Sequence, residues 1–188
     1  MKKSMSYNED FWNKYSDENE SKYNEEFSKF VRDLATSLRC TSVLEVGCGT
    51  GIDLRLFQDT FQINGIDLNE KALSIAKKKL PIGDFKKGTI TELPFEDSSI
   101  DFVFTHGLMN YLDDKILEKG VAEMFRVSKR WIMNCENFDK AEKQIDENQK
   151  SRNMQKWWLD YKVKFVSDVD MHEDIDPNKP RFSLLKKL

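Results

Sequence analysis

Val43-Leu44-Glu45-Val46-Gly47-Cys48-Gly49-Thr50-Gly51 is the stretch on which the reading of this chain turns. A short apolar run over 41–46 stops abruptly at a cluster holding three of the chain's eight glycines. One glycine is enough for a tight strand-to-helix turn. Three side-chain-free positions let the backbone approach a ligand closely, with the amides of a following helix exposed to it. A dinucleotide fingerprint needs its third glycine three positions after the second, where this chain has Ile52. Glu45, two residues before the first glycine, is a poor neighbour for a pyrophosphate and suits a cationic, phosphate-free ligand. S-adenosylmethionine, with its amino group, sulfonium and ribose, has those properties. Asp67 lies sixteen residues past Gly51 at the end of the next apolar run, where a carboxylate can accept both ribose hydroxyls. The plainer alternative for Asp67 is a turn residue leading into Asn69.

Outward from this bend, short apolar runs alternate with helical patterns. Before it, Tyr23, Phe27, Phe30, Val31, Leu34 and Leu38 follow the three-four rhythm of an amphipathic helix. After it, 52–61 reads as a helix, 61–68 as a second strand, and Asn69 as the N-cap of a helix with Ala72, Leu73, Ala76 and Leu80 inside. A weak strand is expected near 85–90 and a buried one over 100–105. Asp113 or Asp114 can cap a helix facing inward through Ile116, Leu117, Val121, Met124 and Phe125, before a fifth strand over 131–135. The segment 139–156, with Ala141, Ile145 and Met154 among many charges, is expected as a solvated helix, the alternative being a mobile insertion. Runs over 163–169 and 181–185, joined by an acidic turn, form a closing antiparallel pair. The expectation is an α/β, Rossmann-like, mostly parallel seven-stranded sheet with helices on both faces and an antiparallel C-terminal strand. Residues 1–40 are expected as an aromatic-rich arm and helix packed on a domain spanning 41–188, with Tyr7, Phe11, Trp12 and Tyr15 anchoring the arm.

Composition excludes several functions. In 188 residues, 13 Phe, 5 Tyr and 4 Trp supply a core although 34% of the chain is charged. A net charge of −3 gives no global basic field, so neither nucleic acid nor an anionic membrane is the expected partner. No apolar run approaches the length of about 18 residues needed to span a membrane, and the start lacks the apolar stretch of a signal peptide. Cys40, Cys48 and Cys135 cannot all pair and lack metal-ligand spacing; with two histidines, no metal site is expected and a reduced cytoplasmic setting is. No nucleophile elbow or Walker loop is present, so hydrolysis and phosphoryl transfer find no support.

The stretches LEVGCGTG, GIDLNEKAL and GTITELPFEDSSIDFVFTHGLMNYL resemble, in order and spacing, the class I S-adenosylmethionine-dependent methyltransferases. The resemblance covers residues 11–135. It implies that Glu45, Gly47, Cys48, Gly49 and Gly51 line the methionine end of the cofactor, with Asp67 on the ribose and Leu68 beside the adenine. Thr89 and Ile90 stand where the family has an acidic residue and an alanine near the adenine. Thr105, His106 and Gly107 fall where cofactor and substrate meet in the family. His106 is a candidate general base, its alternatives being to pack on the cofactor or to hold a loop. Asn110 stands where many relatives carry a histidine. Trp12 and Tyr15 close over the cofactor or simply anchor the arm.

A narrower likeness runs through FWNKYSDE, VSKRWIMNCENFD and DPNKPRFSLLKKL, which are similar to the methyltransferases associated with pseudaminic acid biosynthesis. It implies Asn134 and Glu136 at the substrate mouth, with Glu136 a second catalytic candidate. It also implies Arg152, Trp157 and Trp158 as a cover; the alternatives are core packing for the tryptophans and a solvated surface for Arg152. The expected acceptor is a small polar metabolite, sugar-derived in this likeness. A protein or nucleic-acid methyltransferase, using the lysines of 140–156 with Lys186 and Lys187, and a non-catalytic cofactor-binding module are the alternatives.

Overall fold

β1 (Ser42–Val46) is buried along its whole length, as a central strand covered on both faces must be. The computed structural model describes residues 9–20 and 23–188, and Tyr7 lies outside them. β2 (Gln62–Asp67), β3 (Asp84–Lys87), β4 (Ile100–His106), β5 (Ser128–Glu136), β6 (Val163–Asp170) and β7 (Arg181–Lys187) complete one sheet in the order β3-β2-β1-β4-β5-β7-β6. β7 runs antiparallel to both β5 and β6, and the remaining pairs are parallel. The expected seven-stranded, mostly parallel sheet therefore forms. Its direction of growth reverses between β1 and β4, and the crevice above such a switch point is where open α/β sheets bind ligands.

Successive strand residues serve opposite faces. Val43, Phe102, Phe104 and Met133 pack in one apolar cluster with Phe27 and Val31 of α2 (Glu25–Ser37) and Leu73 and Ala76 of α3 (Glu70–Lys79). Leu44, Val103 and Ile132 point the other way, against Leu117, Val121 and Met124 of α4 (Asp114–Val127). Each fully buried side chain of this kind stabilises the fold by about 1.5–3 kcal/mol relative to exposure. Side chains fix where the helices start. Asn24 Oδ1 accepts from the amides of Glu26 and Phe27, Asn69 Oδ1 from Ala72, and Asp113 Oδ1 from Ile116. Asn24 Nδ2 also donates to the Ile175 carbonyl at 2.6 Å, tying the start of α2 to the β6–β7 loop.

Two expected helices are absent. After Gly51 the chain makes a succession of turns, with Gly51, Leu54 and Phe57 amides bonded three residues back. Tertiary bonds fix these turns: Ser28 Oγ donates to the Ile52 carbonyl at 2.9 Å, and the Asp53 side chain is held by His106. Residues 139–153 are likewise irregular, and α5 (Met154–Trp157) is a single turn. There Asp139 Oδ1 accepts from the Ala141 amide and Asp146 Oδ1 from those of Asn148 and Gln149, local bonds that compete with a helix ladder. β5 starts three residues before its expected bound and β3 ends three before its own.

α1 (Glu9–Glu20) packs against the start of α3. Asn69 Nδ2 donates to Asn13 Oδ1 at 3.0 Å and Lys71 pairs with Asp17 at 2.7 Å. On its other side, the rings of Phe11, Trp12 and Tyr15 pack around Tyr111, with centroids 5.0–6.1 Å from it.

Candidate active site

The carboxyl ends of β1 and β2 bring the glycine bend and its two acids together. Gly47, Gly49 and Gly51 have φ of +77°, +50° and +70°, a conformation open to glycine at no steric cost. At Gly49 a Cβ would meet no atom within 4 Å, so this backbone faces open space. The Gly49 amide donates to Asp67 Oδ2 and the Asn69 amide to Asp67 Oδ1, each at 2.8 Å. Burial raises the Asp67 pKa, while the amides of Asn69, Gly49 and Leu68 favour its charged form. Each of its oxygens keeps a lone pair for a further donor. Glu45 is 3% exposed, and its Oε2 has no hydrogen-bond partner among the described residues. Burial, and after it the charge of Asp53, pushes the Glu45 pKa well above the ordinary carboxylate value. An unsatisfied buried carboxyl oxygen of this kind is costly unless a donor or cation arrives to meet it.

A second constellation joins three distant segments. His106, at the end of β4, holds Asp53 Oδ2 at 2.7 Å through Nδ1 and Asp176 Oδ2 at 3.0 Å through Nε2. Its ring stacks on Phe27, with centroids 3.9 Å apart. Burial disfavours the imidazolium, but the charge of Asp53 and the hydrogen bonds that Asp176 and Asp53 accept from the ring outweigh it, holding the His106 pKa well above its ordinary value. Asp176 moves oppositely: burial opposes ionisation, yet the His106 bond and the Asn178 amide keep its pKa below the usual range. With Nδ1 and Nε2 both engaged by carboxylates, His106 ties the end of β4 to the turns after Gly51 and to the β6–β7 loop.

These groups wall one cavity of about 1050 Å³ above the switch point. Of the residues singled out in the sequence, Glu45, Gly47, Cys48 and Gly49 line its floor, with Asp67, Leu68, Thr89 and Ile90 on the β2–β3 side. His106 and Gly107 lie opposite, and Trp12 and Tyr15 of α1 come over the mouth. Thr89 Oγ1 is within 3.1 Å of Thr91 Oγ1. Gly51 is absent from the wall; a Cβ there would sit 3.2 Å from Ala76 and Phe85, so its role is close packing of the bend on the sheet.

Thr105, Asn134 and Glu136 do not reach the cavity; they are buried beneath it. Thr105 Oγ1 donates to Glu136 Oε1 at 2.8 Å, the Met109 amide to Glu136 Oε2 at 3.0 Å, and Asn134 Nδ2 to Thr105 Oγ1 at 2.9 Å. Trp158 Nε1 closes the network on Asn134 Oδ1. Burial raises the Glu136 pKa to about 7 against the pull of those donors. Arg152 is 1% exposed rather than solvated, and its guanidinium donates to the carbonyls of Met109 and Leu112 and to Asp114. Trp157 Nε1 donates to Glu142, and Trp158 packs in the core, so none of the three covers the cavity.

Asp53, Asp176 and Tyr111 also line the cavity. Their contacts span 53, 70 and about a hundred positions of chain, and nothing in the local pattern marks them. Among the described residues no cluster of three or more His, Cys, Asp or Glu could hold a metal, and no helix is long and apolar enough to cross a membrane.

Residues 43–130 match a family model described as a methyltransferase domain. Among curated proteins, the chain is 34% identical over 103 residues to the demethylmenaquinone methyltransferase of Renibacterium salmoninarum, covering 54% of this chain and 42% of that one. It is 32% identical over 94 residues to the phosphatidylethanolamine N-methyltransferase of Cereibacter sphaeroides, covering 47% and 45%. The chain thus spans less than half the length of these relatives. Among solved structures, the magnesium protoporphyrin IX methyltransferase of Synechocystis, crystallised with S-adenosylhomocysteine, superposes with a TM-score of 0.70. That match has 12% identity over 86% of this chain and 82% of that one, a likeness of fold.

Proposed function

We propose that this chain, whose residues 43–130 match a family model described as a methyltransferase domain, transfers a methyl group from S-adenosylmethionine to a small polar metabolite. The observation that carries the reading is the unpartnered Oε2 of Glu45, buried in the cavity floor across the glycine bend from Asp67. A cation next to Glu45 satisfies that oxygen and draws the carboxyl back to its charged form. In this reading Glu45, Gly47, Cys48 and Gly49 take the methionine end. Asp67 accepts the ribose hydroxyls with the lone pairs its two amide donors leave free, and Leu68, Thr89 and Ile90 take the adenine.

The cofactor supplies an already activated methyl group, so the protein's work is binding, orientation and exclusion of water. The His106 tie holds the turns after Gly51 against the β6–β7 loop, keeping the floor in one arrangement. Thr105, Asn134 and Glu136 do the same from below by fixing the turn at Met109. Trp12 and Tyr15 shield the mouth. The likeness to the pseudaminic acid-associated enzymes proposes a sugar-derived acceptor. Incubation with S-adenosylmethionine and a metabolite extract should yield a compound heavier by one methylene; cofactor binding without any such product would make the chain a binding module instead.

A further inference from the structure

Tyr111 stands where three segments of the cavity wall meet. The turn that carries it, Met109–Tyr111, is held by buried bonds. The Met109 amide donates to Glu136 Oε2, and the Asn110 side chain accepts from the Asn137 amide at 2.9 Å. Asn110 also donates to the carbonyls of Asn137 and Lys150, at 3.0 and 3.1 Å. From this fixed turn the Tyr111 phenol reaches two other segments. Gln149 Nε2 donates to its hydroxyl oxygen, and the hydroxyl gives its own proton to Tyr15. Burial, and after it Tyr15, push the Tyr111 pKa up, so the phenol keeps that proton to donate. Its ring meets those of Phe11, Trp12 and Tyr15 of α1 at 5.0–6.1 Å. Trp12, Tyr15, Tyr111 and Gln149 all line the cavity.

Asn69 follows the end of β2 and Tyr111 follows β4, so α1 touches both banks of the crevice above the switch point. A helix of 12 residues is marginal in water by itself. Its polar ties to α3 are slight: one neutral bond, Asn69 to Asn13, and the Asp17–Lys71 pair, whose side chains are 58% and 47% exposed. We propose that Tyr111 is a positioning residue whose ring and hydroxyl pin α1 across the crevice, that Gln149 fixes the hydroxyl with its proton toward Tyr15, and that the cofactor exchanges only when this pin opens. The proposal rests on the methyltransferase reading and deepens it. While the pin is closed, Trp12 and Tyr15 complete the wall and keep water from the reacting methyl group. An element of low local stability can then swing away without unfolding the sheet. The irregular segment 139–153 reaches the site through Gln149 and so sets how long the wall stays closed.

The test uses the full chain, with two readouts: amide hydrogen exchange of α1 without ligand, and the dissociation rate of S-adenosylhomocysteine. Tyr111→Phe keeps the ring and removes the hydroxyl; Gln149→Ala removes the donor in the other segment. Each should speed both α1 exchange and ligand release by roughly two- to tenfold, the share of one neutral hydrogen bond. Gln149→Ala should add nothing in a Tyr111→Phe background, because both changes undo the same pin. Unchanged α1 exchange in both variants, additive effects in the double variant, or a loosened α1 with unchanged ligand release would overturn the proposal while leaving cofactor binding intact. Failure of S-adenosylhomocysteine to bind the wild type would instead remove the methyltransferase reading, and this proposal with it.

Discussion

His106 Nδ1 lies 2.7 Å from Asp53 Oδ2, and this contact joins the end of β4 to the turns that follow the glycine bend. Its other nitrogen reaches Asp176 across the β6–β7 loop, so one ring decides the relative position of three segments of the cavity wall. The contact also explains why no helix follows Gly51: Asp53 is turned toward β4 rather than outward into a helix surface.

Replacing His106 by Gln should destabilise the fold by about 3 kcal/mol near neutral pH, since two buried carboxylates are left facing each other without a charge between them. The sign with pH follows from the shifts. The raised His106 pKa means that its contribution is complete below the ordinary imidazole value of 6.5 and is lost as pH rises through its folded value. The lowered Asp176 pKa means that its share persists above 3.8 and is lost as pH falls through its folded value. Urea denaturation at a series of pH values should therefore show the gap between wild type and variant narrowing on the alkaline side. A pH-independent gap would contradict the ion-pair account.

Glu136 gives a separate signature. Its folded pKa of about 7 stands above the ordinary 4.5, so folding favours the protonated form. Stability from this group is present below 4.5 and lost as pH rises towards 7, on the order of 3 kcal/mol in all. Glu136→Gln should cost about 1–2 kcal/mol at low pH, where one donor loses its acceptor, and should flatten this dependence. Denaturation midpoints of both proteins across that range check it; parallel curves would count against the assignment.

Much of this architecture was legible in the chain. The apolar runs ending at Val46, Asp67 and Thr105 marked three of the strands because parallel strands covered on both faces are continuously apolar. Asn69 and Asp113 announced their helices by capping chemistry that is local by nature. What was not legible is what depends on distant partners. Arg152 sits in a polar stretch that reads as solvent-exposed, yet the carbonyls of Met109 and Leu112 bury it. Asn134 and Glu136 stand at the end of β5, where the resemblance implies substrate contacts, but Thr105 and the Met109 amide draw them under the cavity floor. The Asp53–His106–Asp176 trio has no local pattern at all.

Arg152→Ala should lower stability by roughly 3–5 kcal/mol, because it strips the Met109 and Leu112 carbonyls and Asp114 of a buried charged donor. Thermal denaturation measures this. Unchanged stability would show that Arg152 is not the post holding the turn at Met109.

Asp67→Ala should weaken S-adenosylhomocysteine binding by roughly 1.5–3 kcal/mol, the range for hydrogen bonds to a charged group. Circular dichroism controls for the loss of its bonds to Gly49 and Asn69. Undiminished affinity in a folded variant would remove the ribose assignment.

The central claim is that Glu45 and Asp67 around the bend at Gly49 select a positively charged nucleoside without phosphate. Isothermal titration calorimetry of the same protein with S-adenosylmethionine and with NADH compares the two ligand chemistries directly. The account predicts saturable heat with S-adenosylmethionine and none with NADH; saturation by NADH, with S-adenosylmethionine silent, would contradict it.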